Sequence, residues 1–86
     1  MERVKDGMFA ISKAGHDKGN LYLIVRAAGD YVYLVDGKLR LLEKPKKKKQ
    51  KHIQIVHRMP EGWNPEQISD DDVKRAIRQY KQSLQA

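Results

Sequence analysis

The residues best placed to do chemistry lie close together near the N-terminus. Lys13, His16 and Lys18 sit among two glycines in the segment 14–20, AGHDKGN, with Ser12 and Asn20 adding polar side chains beside them. A turn bracketed by Gly15 and Gly19 lets main-chain amides approach an oxyanion closely while the lysines point outward. The chemistry this suits is phosphate binding, with the glycines as geometric enablers. A plain turn with solvated charges is the alternative. Asp17 does not suit a phosphate, and is expected to brace the turn through a backbone hydrogen bond.

A second set of cations follows. Lys38, Arg40, Lys44, Lys46, Lys47, Lys48, Lys49 and Lys51 extend the positive surface. Each can neutralise a phosphate in a salt-dependent way, but flexible lysines act as point charges and read no sequence. The formal net charge is +7, and residues 1–60 carry 14 Lys or Arg against six Asp or Glu. Residues 61–86 carry four against five. Charge of this kind and placement points to a polyanionic partner, nucleic acid first. Tyr22, Tyr31 and Tyr33 are interleaved with the basic region, and Tyr31 and Tyr33 share a face. They either pack at the rim of the core or stack on unpaired bases, which makes Tyr31 and Tyr33 the candidate stacking residues.

Catalytic chemistry finds little footing. The chain has no cysteine, so it offers no thiolate nucleophile, disulfide or thiolate metal site. His16, His52 and His57 show no metal-ligand spacing, and no glycine pattern forms a P-loop or dinucleotide fingerprint. The acids at 70–72 read as helix-start charges. The expectation is a non-enzymatic protein with no cofactor and no metal. The N-terminus carries no apolar stretch of signal-peptide length, and the apolar runs are too short to span a membrane. A soluble, cytoplasmic protein is expected.

Eighty-six residues make one domain with a limited core. The spacing predicts strands over 7–13, 21–27, 31–35, 38–42 and 52–59. Gly29 and Asp30 mark an antiparallel hairpin, and Asp36 and Gly37 mark a two-residue type I′ turn into the fourth strand. In that strand Leu39 and Leu41 face the core, while Lys38 and Arg40 face out. Pro45 and four consecutive lysines make 43–51 an exposed, mobile basic loop. Residues 61–68 form a linker, in which Trp63 either covers an open end of the core or stacks on a base. A helix over 69–84 starts at Ser69 with Asp72 completing a capping box, and Ile68 and Val73 forming a hydrophobic staple. Val73, Ile77, Tyr80 and Leu84 form its apolar face, which is expected to pack on the protein's own barrel. Five short strands with tight turns fit a mainly β fold: a small five-stranded SH3-like barrel over 1–60 with a C-terminal α-helix. An OB-like barrel is the second choice.

The stretch KDGMFAISKAGHDKGNLYLIVRAAGDYVYLVDG resembles a KOW motif, through Gly7, Ala14, Gly15, Lys18, Gly19 and the alternating apolar residues up to Val25. The continuation VDGKLRLLEKPKKKKQKHIQ extends the likeness to roughly residues 4–56. The resemblance is to the ribosomal protein L14e-like family, especially its small bacterial KOW-domain RNA-binding members. It implies an SH3-like KOW barrel that binds ribosomal RNA or a ribosome-like assembly, with ribosomal proteins as further partners and a place in translation. The free protein is expected to be a monomer. His16 stands where many relatives carry a basic residue. A reading from a different class is a protein–protein adaptor of SH3-like fold that uses Trp63 and the C-terminal helix.

Overall fold

The computed structural model describes residues 6–60, 62–64 and 66–84. Its strands are β1 (Phe9–Ser12), β2 (Leu21–Ala28), β3 (Tyr31–Val35), β4 (Lys46–Lys49) and β5 (Ile53–Val56). A 3-10 turn, Gln50–His52, joins β4 to β5, and a helix, α1 (Asp70–Ser83), follows. All pairings are antiparallel, in the order β4-β3-β2-β1-β5. The fold is mainly β with a C-terminal helix, and the curled sheet is compatible with a small barrel of SH3-like type.

The alternation of side chains along each strand builds two apolar clusters from one sheet. Met8, Ala10, Tyr22, Ile24, Val32, Leu34 and Ile53 fill the inside of the curl. Phe9, Leu23 and Val35 occupy the other face and meet Val73, Ala76 and Ile77 of α1. The Phe9 and Tyr80 rings stack at 4.7 Å between centroids. Burying an aliphatic side chain fully contributes about 1.5–3 kcal/mol, so Val73 and Ile77 are main contributors to docking the helix. Ser69 and Asp72 form the reciprocal capping box expected, with the Ser69 amide donating to Asp72 Oδ2 and the Asp72 amide to Ser69 Oγ.

A bulge interrupts the β2–β3 ladder. Ile24 opposes Leu34 and Arg26 opposes Tyr33, which leaves Val25 as the extra residue. The insertion shifts the alternation by one. Val25 packs against the outer cluster and Ala27 against the inner one. Arg26 is thereby set on the outer face beside Tyr33, within 5.6 Å of its ring centroid.

Three expectations for residues 36–51 are overturned together. There is no type I′ turn at Asp36 and Gly37, and 38–42 is not a strand. Asp36 Oδ1 instead accepts hydrogen bonds from the amides of Lys38, Leu39 and Arg40, at 2.8–3.0 Å. The Arg40 carbonyl accepts from the amides of Asp36 and Gly37. These bonds take the main-chain groups a ladder would need. Leu39 is 88 % exposed and Leu41 is exposed too, rather than in the core, and Lys38 and Arg40 share no strand face. The fourth strand is the lysine run itself, Lys46–Lys49, so residues 43–51 are not a mobile loop. It begins directly after Pro45 and lies at an edge of the sheet, where lysines are common because they discourage further pairing.

The loop 36–44 is seated on the start of α1. Asp70 Oδ1 accepts from the Leu42 amide at 2.8 Å. Gly37 has φ +78°, and a Cβ there would lie 2.8 Å from Lys74 Cγ and 3.0 Å from the Lys74 nitrogen. Gly37→Ala should therefore cost backbone strain plus displacement of the helix. Gly29, φ +59° with nothing nearby, carries strain alone. Urea unfolding should show Gly29→Ala losing about 1 kcal/mol and Gly37→Ala clearly more. Equal losses would mean the loop does not press on the helix.

Candidate nucleic-acid interface

The cations singled out in the sequence fall into three places. The first is the β1–β2 turn. The Ser12 amide donates to the Asn20 carbonyl, Gly19 to Ser12, Asn20 to Asp17 and Lys18 to Gly15. Gly15 and Gly19 take φ of +86° and +91°, as the bend requires. Lys13, Gly15, His16, Lys18, Gly19 and Asn20 are all exposed on this turn. Asp17 points the other way and is buried.

That inward turn of Asp17 decides the second place. Lys46 and Lys48 lie opposite Leu34 and Val32, on the inner side of β4, and both reach Asp17. Lys46 Nζ is 2.8 Å from Oδ2, and Lys48 Nζ is 2.7 Å from Oδ1. Lys48 also donates to Ser12 Oγ and the Ala14 carbonyl. Ser12 Oγ and Tyr22 Oη complete the shell around the carboxylate, and no buried side-chain polar atom among the described residues is left unpaired. Burial by itself would raise the Asp17 pKa. The two ammonium groups and two hydroxyls outweigh it and hold the carboxyl well below the usual carboxylate range. Tyr22 is pushed up, by burial first and with the Asp17 charge adding to it. Asp17 thus braces the turn with its side chain as well as its carbonyl. Lys46 and Lys48 are spent on the fold and drop out of the candidate phosphate contacts.

The other two lysines of the run face outward. Lys47 lies over the Tyr31 ring, its Nζ 4.3 Å from the centroid, and Lys49 pairs with Tyr31 across the ladder. Tyr31, Tyr33, Lys47, Lys49 and Arg26 share the part of the outer sheet face beyond the residues that α1 covers. Both tyrosines are half-buried. Lys51 is exposed on the adjoining 3-10 turn, which is fixed by Gln50: its amide donates to the Asp30 carbonyl and its side chain to the Gly29 carbonyl. Arg26 belongs to this face and was not among the candidates. The one sign of it is that it is the only charged residue in LYLIVRAA.

Loop 36–44 is the third place. It presents Lys38 and Lys44 exposed and Arg40 half-buried, away from the tyrosines. Trp63 is half-buried against Gly7 and the outer cluster, so it covers the core as the first of its two readings has it. On the apolar side of α1, Val73, Ile77 and Tyr80 pack against the sheet, while Leu84, expected on the same face, is exposed. Among the described residues no group of three or more His, Cys, Asp or Glu could hold a metal ion, and no helix is long and apolar enough to cross a membrane. Compared with known protein families and with curated proteins, the chain matches none.

The Asp17 cluster has a measurable signature. Asp17→Ala leaves the Lys48 ammonium buried without its counter-charge and should cost about 3–5 kcal/mol in urea unfolding. Because the folded carboxyl titrates low, its stabilisation is complete above the unfolded pKa of about 3.9 and is lost as pH falls toward the folded value. Between about pH 4 and 2, stability should fall more steeply in the wild type than in Asp17→Asn. Parallel pH curves would sink this assignment.

Proposed function

We propose that the chain is an RNA-binding module that acts by binding rather than by catalysis. The observation that carries this is the part of the outer face of β2, β3 and β4 that α1 does not cover. Two tyrosines stand there side by side, flanked by Arg26, Lys47 and Lys49. Aromatic rings between cations suit unpaired bases, which stack on the rings while their phosphates meet the lysines. Lys47 already lies over Tyr31, and its flexible stem lets it pass to a neighbouring phosphate when a base takes the ring. The net charge of +7 supplies long-range attraction. The likeness of residues 4–56 to KOW proteins of the L14e-like family points to ribosomal RNA or ribosomal particles in the cytoplasm as the target. No cofactor is needed for this role. The exposed turn with Lys13, His16 and Lys18 adds phosphate contacts on the same reading.

Fluorescence anisotropy with single-stranded and blunt duplex RNA tests the proposal. Single strands should bind more tightly. Tyr31→Ala and Tyr33→Ala should each weaken binding by about 1–3 kcal/mol with little change in salt dependence. Lys47→Gln and Lys49→Gln should each flatten the slope of log K against log salt by about 0.7. Equal affinity for duplex and single strand would remove the stacking platform, and no binding at low salt would remove the RNA reading.

A further inference from the structure

The solvent-facing side of α1 is not uniformly charged. Asp71 and Asp72 lie in its first turn, where Lys74 and Arg75 pair with them at 3.6 and 3.2 Å. Further along, Lys74, Arg78 and Lys81 form a stripe at helical spacing beside Ile77. Among the described residues, neither Arg78 nor Lys81 pairs with an acid.

This stripe forms one wall of a groove. Two contiguous concavities of about 240 and 160 Å³ share Asp36, Lys38, Ile77 and Lys81. Gly19 and Asn20 of the β1–β2 turn close one end, and Lys74 and Arg78 line the other. Four cations from two separate elements thus face one concavity that holds a single carboxylate, Asp36. Oδ1 of that carboxylate is already committed to three main-chain amides. The same bonds fix the loop that carries Lys38, and Gly37 pressed against Lys74 fixes the loop against the helix. The main-chain segments that carry the cations are therefore fixed relative to one another. Ordinarily a cluster of like charges would spread apart.

We infer that this groove is a second phosphate-binding site, which takes the phosphodiester backbone of the same RNA whose bases stack on Tyr31 and Tyr33. The inference rests on the RNA-binding reading. The groove is lined by four cations and has no aromatic ring in its lining, so it suits backbone and not bases. Its turn side leads to Lys18, next to Gly19, so the exposed cations of the β1–β2 turn continue the track. The groove lies at the Asp36 end of β3 and Tyr31 at the opposite end, roughly 15 Å away at the rise of an extended strand. A single strand of a few nucleotides covers that separation.

The test uses the full chain, labelled for NMR, with deca-uridylate as probe. Wild-type amides of Asn20 and Lys38 should shift along with those of Tyr31 and Tyr33. Arg78→Gln with Lys81→Gln, both exposed positions, should weaken binding several-fold and flatten the salt slope by about 1.4, two phosphates' worth. Tyr31→Ala with Tyr33→Ala should weaken binding without flattening the slope. Unmoved Asn20 and Lys38 amides with an unchanged slope in the helix variant, while the tyrosine variant still binds more weakly, overturn the groove and leave the RNA reading standing. Absence of any deca-uridylate binding at low salt overturns both. Inorganic phosphate that shifts the same amides at lower concentration than deca-uridylate would mark a site for free anions and overturn the backbone assignment.

Discussion

The rest of the structure depends on one buried carboxylate. Asp17 projects from the β1–β2 turn into the mouth of the curl and holds Lys46 and Lys48 from the far edge of the sheet. It thereby joins two segments that no ladder connects, since β4 pairs only with β3 and β1 lies two strands further on. Without a counter-charge, a strand of four lysines would have no reason to lie against an apolar interior. With it, the inner two share one carboxylate and are hydrogen-bonded, and the outer two stay in water. The same carboxylate shapes the turn itself, because Asp17 pointing inward leaves His16 and Lys18 pointing out.

The outer face of the sheet is divided between two tasks by a single extra residue. Before the Val25 bulge, the outward positions are apolar and lie under α1. After it they are Arg26, Tyr33 and Tyr31, with Lys47 of β4 over the Tyr31 ring. Helix docking and the tyrosine platform thus come from one surface without a second layer. The loop 36–44 borders the covered half and joins the base of β3 to the start of α1 through Asp70 and Gly37.

Much of this was legible from local pattern. The β2–β3 hairpin follows from two β-branched and aromatic runs around Gly29 and Asp30. The capping box at Ser69 follows from the SDDD segment, and the apolar stripe of α1 from its spacing. The failures share a cause. Leu39 and Leu41 alternate with basic residues as a half-buried strand should, but Asp36 captures the amides of Lys38, Leu39 and Arg40, and a period-two pattern says nothing about that competition. The lysine run reads as solvated loop because like charges repel, and the one acid that reverses this is 29 residues away from Lys46 in sequence. For the site, the glycine-bracketed turn was visible, as were Tyr31 and Tyr33. Arg26 was hidden because its outward position depends on a bulge. Arg78 and Lys81 were hidden because a basic helix face looks the same whether or not a loop stands opposite it.

The composition of β4 has a further consequence. In most strands the sequence of alternating side chains sets the pairing register, since a slip of one residue turns the wrong groups inward. Four identical residues cannot do this: shifted by one, the strand would still offer Asp17 two ammonium groups. The alignment must be set from its ends, by Pro45, which cannot donate to a ladder, and by Gln50, anchored twice to the β2–β3 turn. A homopolymeric strand of this kind is tolerant in chemistry and strict in length. Gaining or losing one lysine would not change which groups meet Asp17, but it would pull the 3-10 turn off its anchor and move β5 with it.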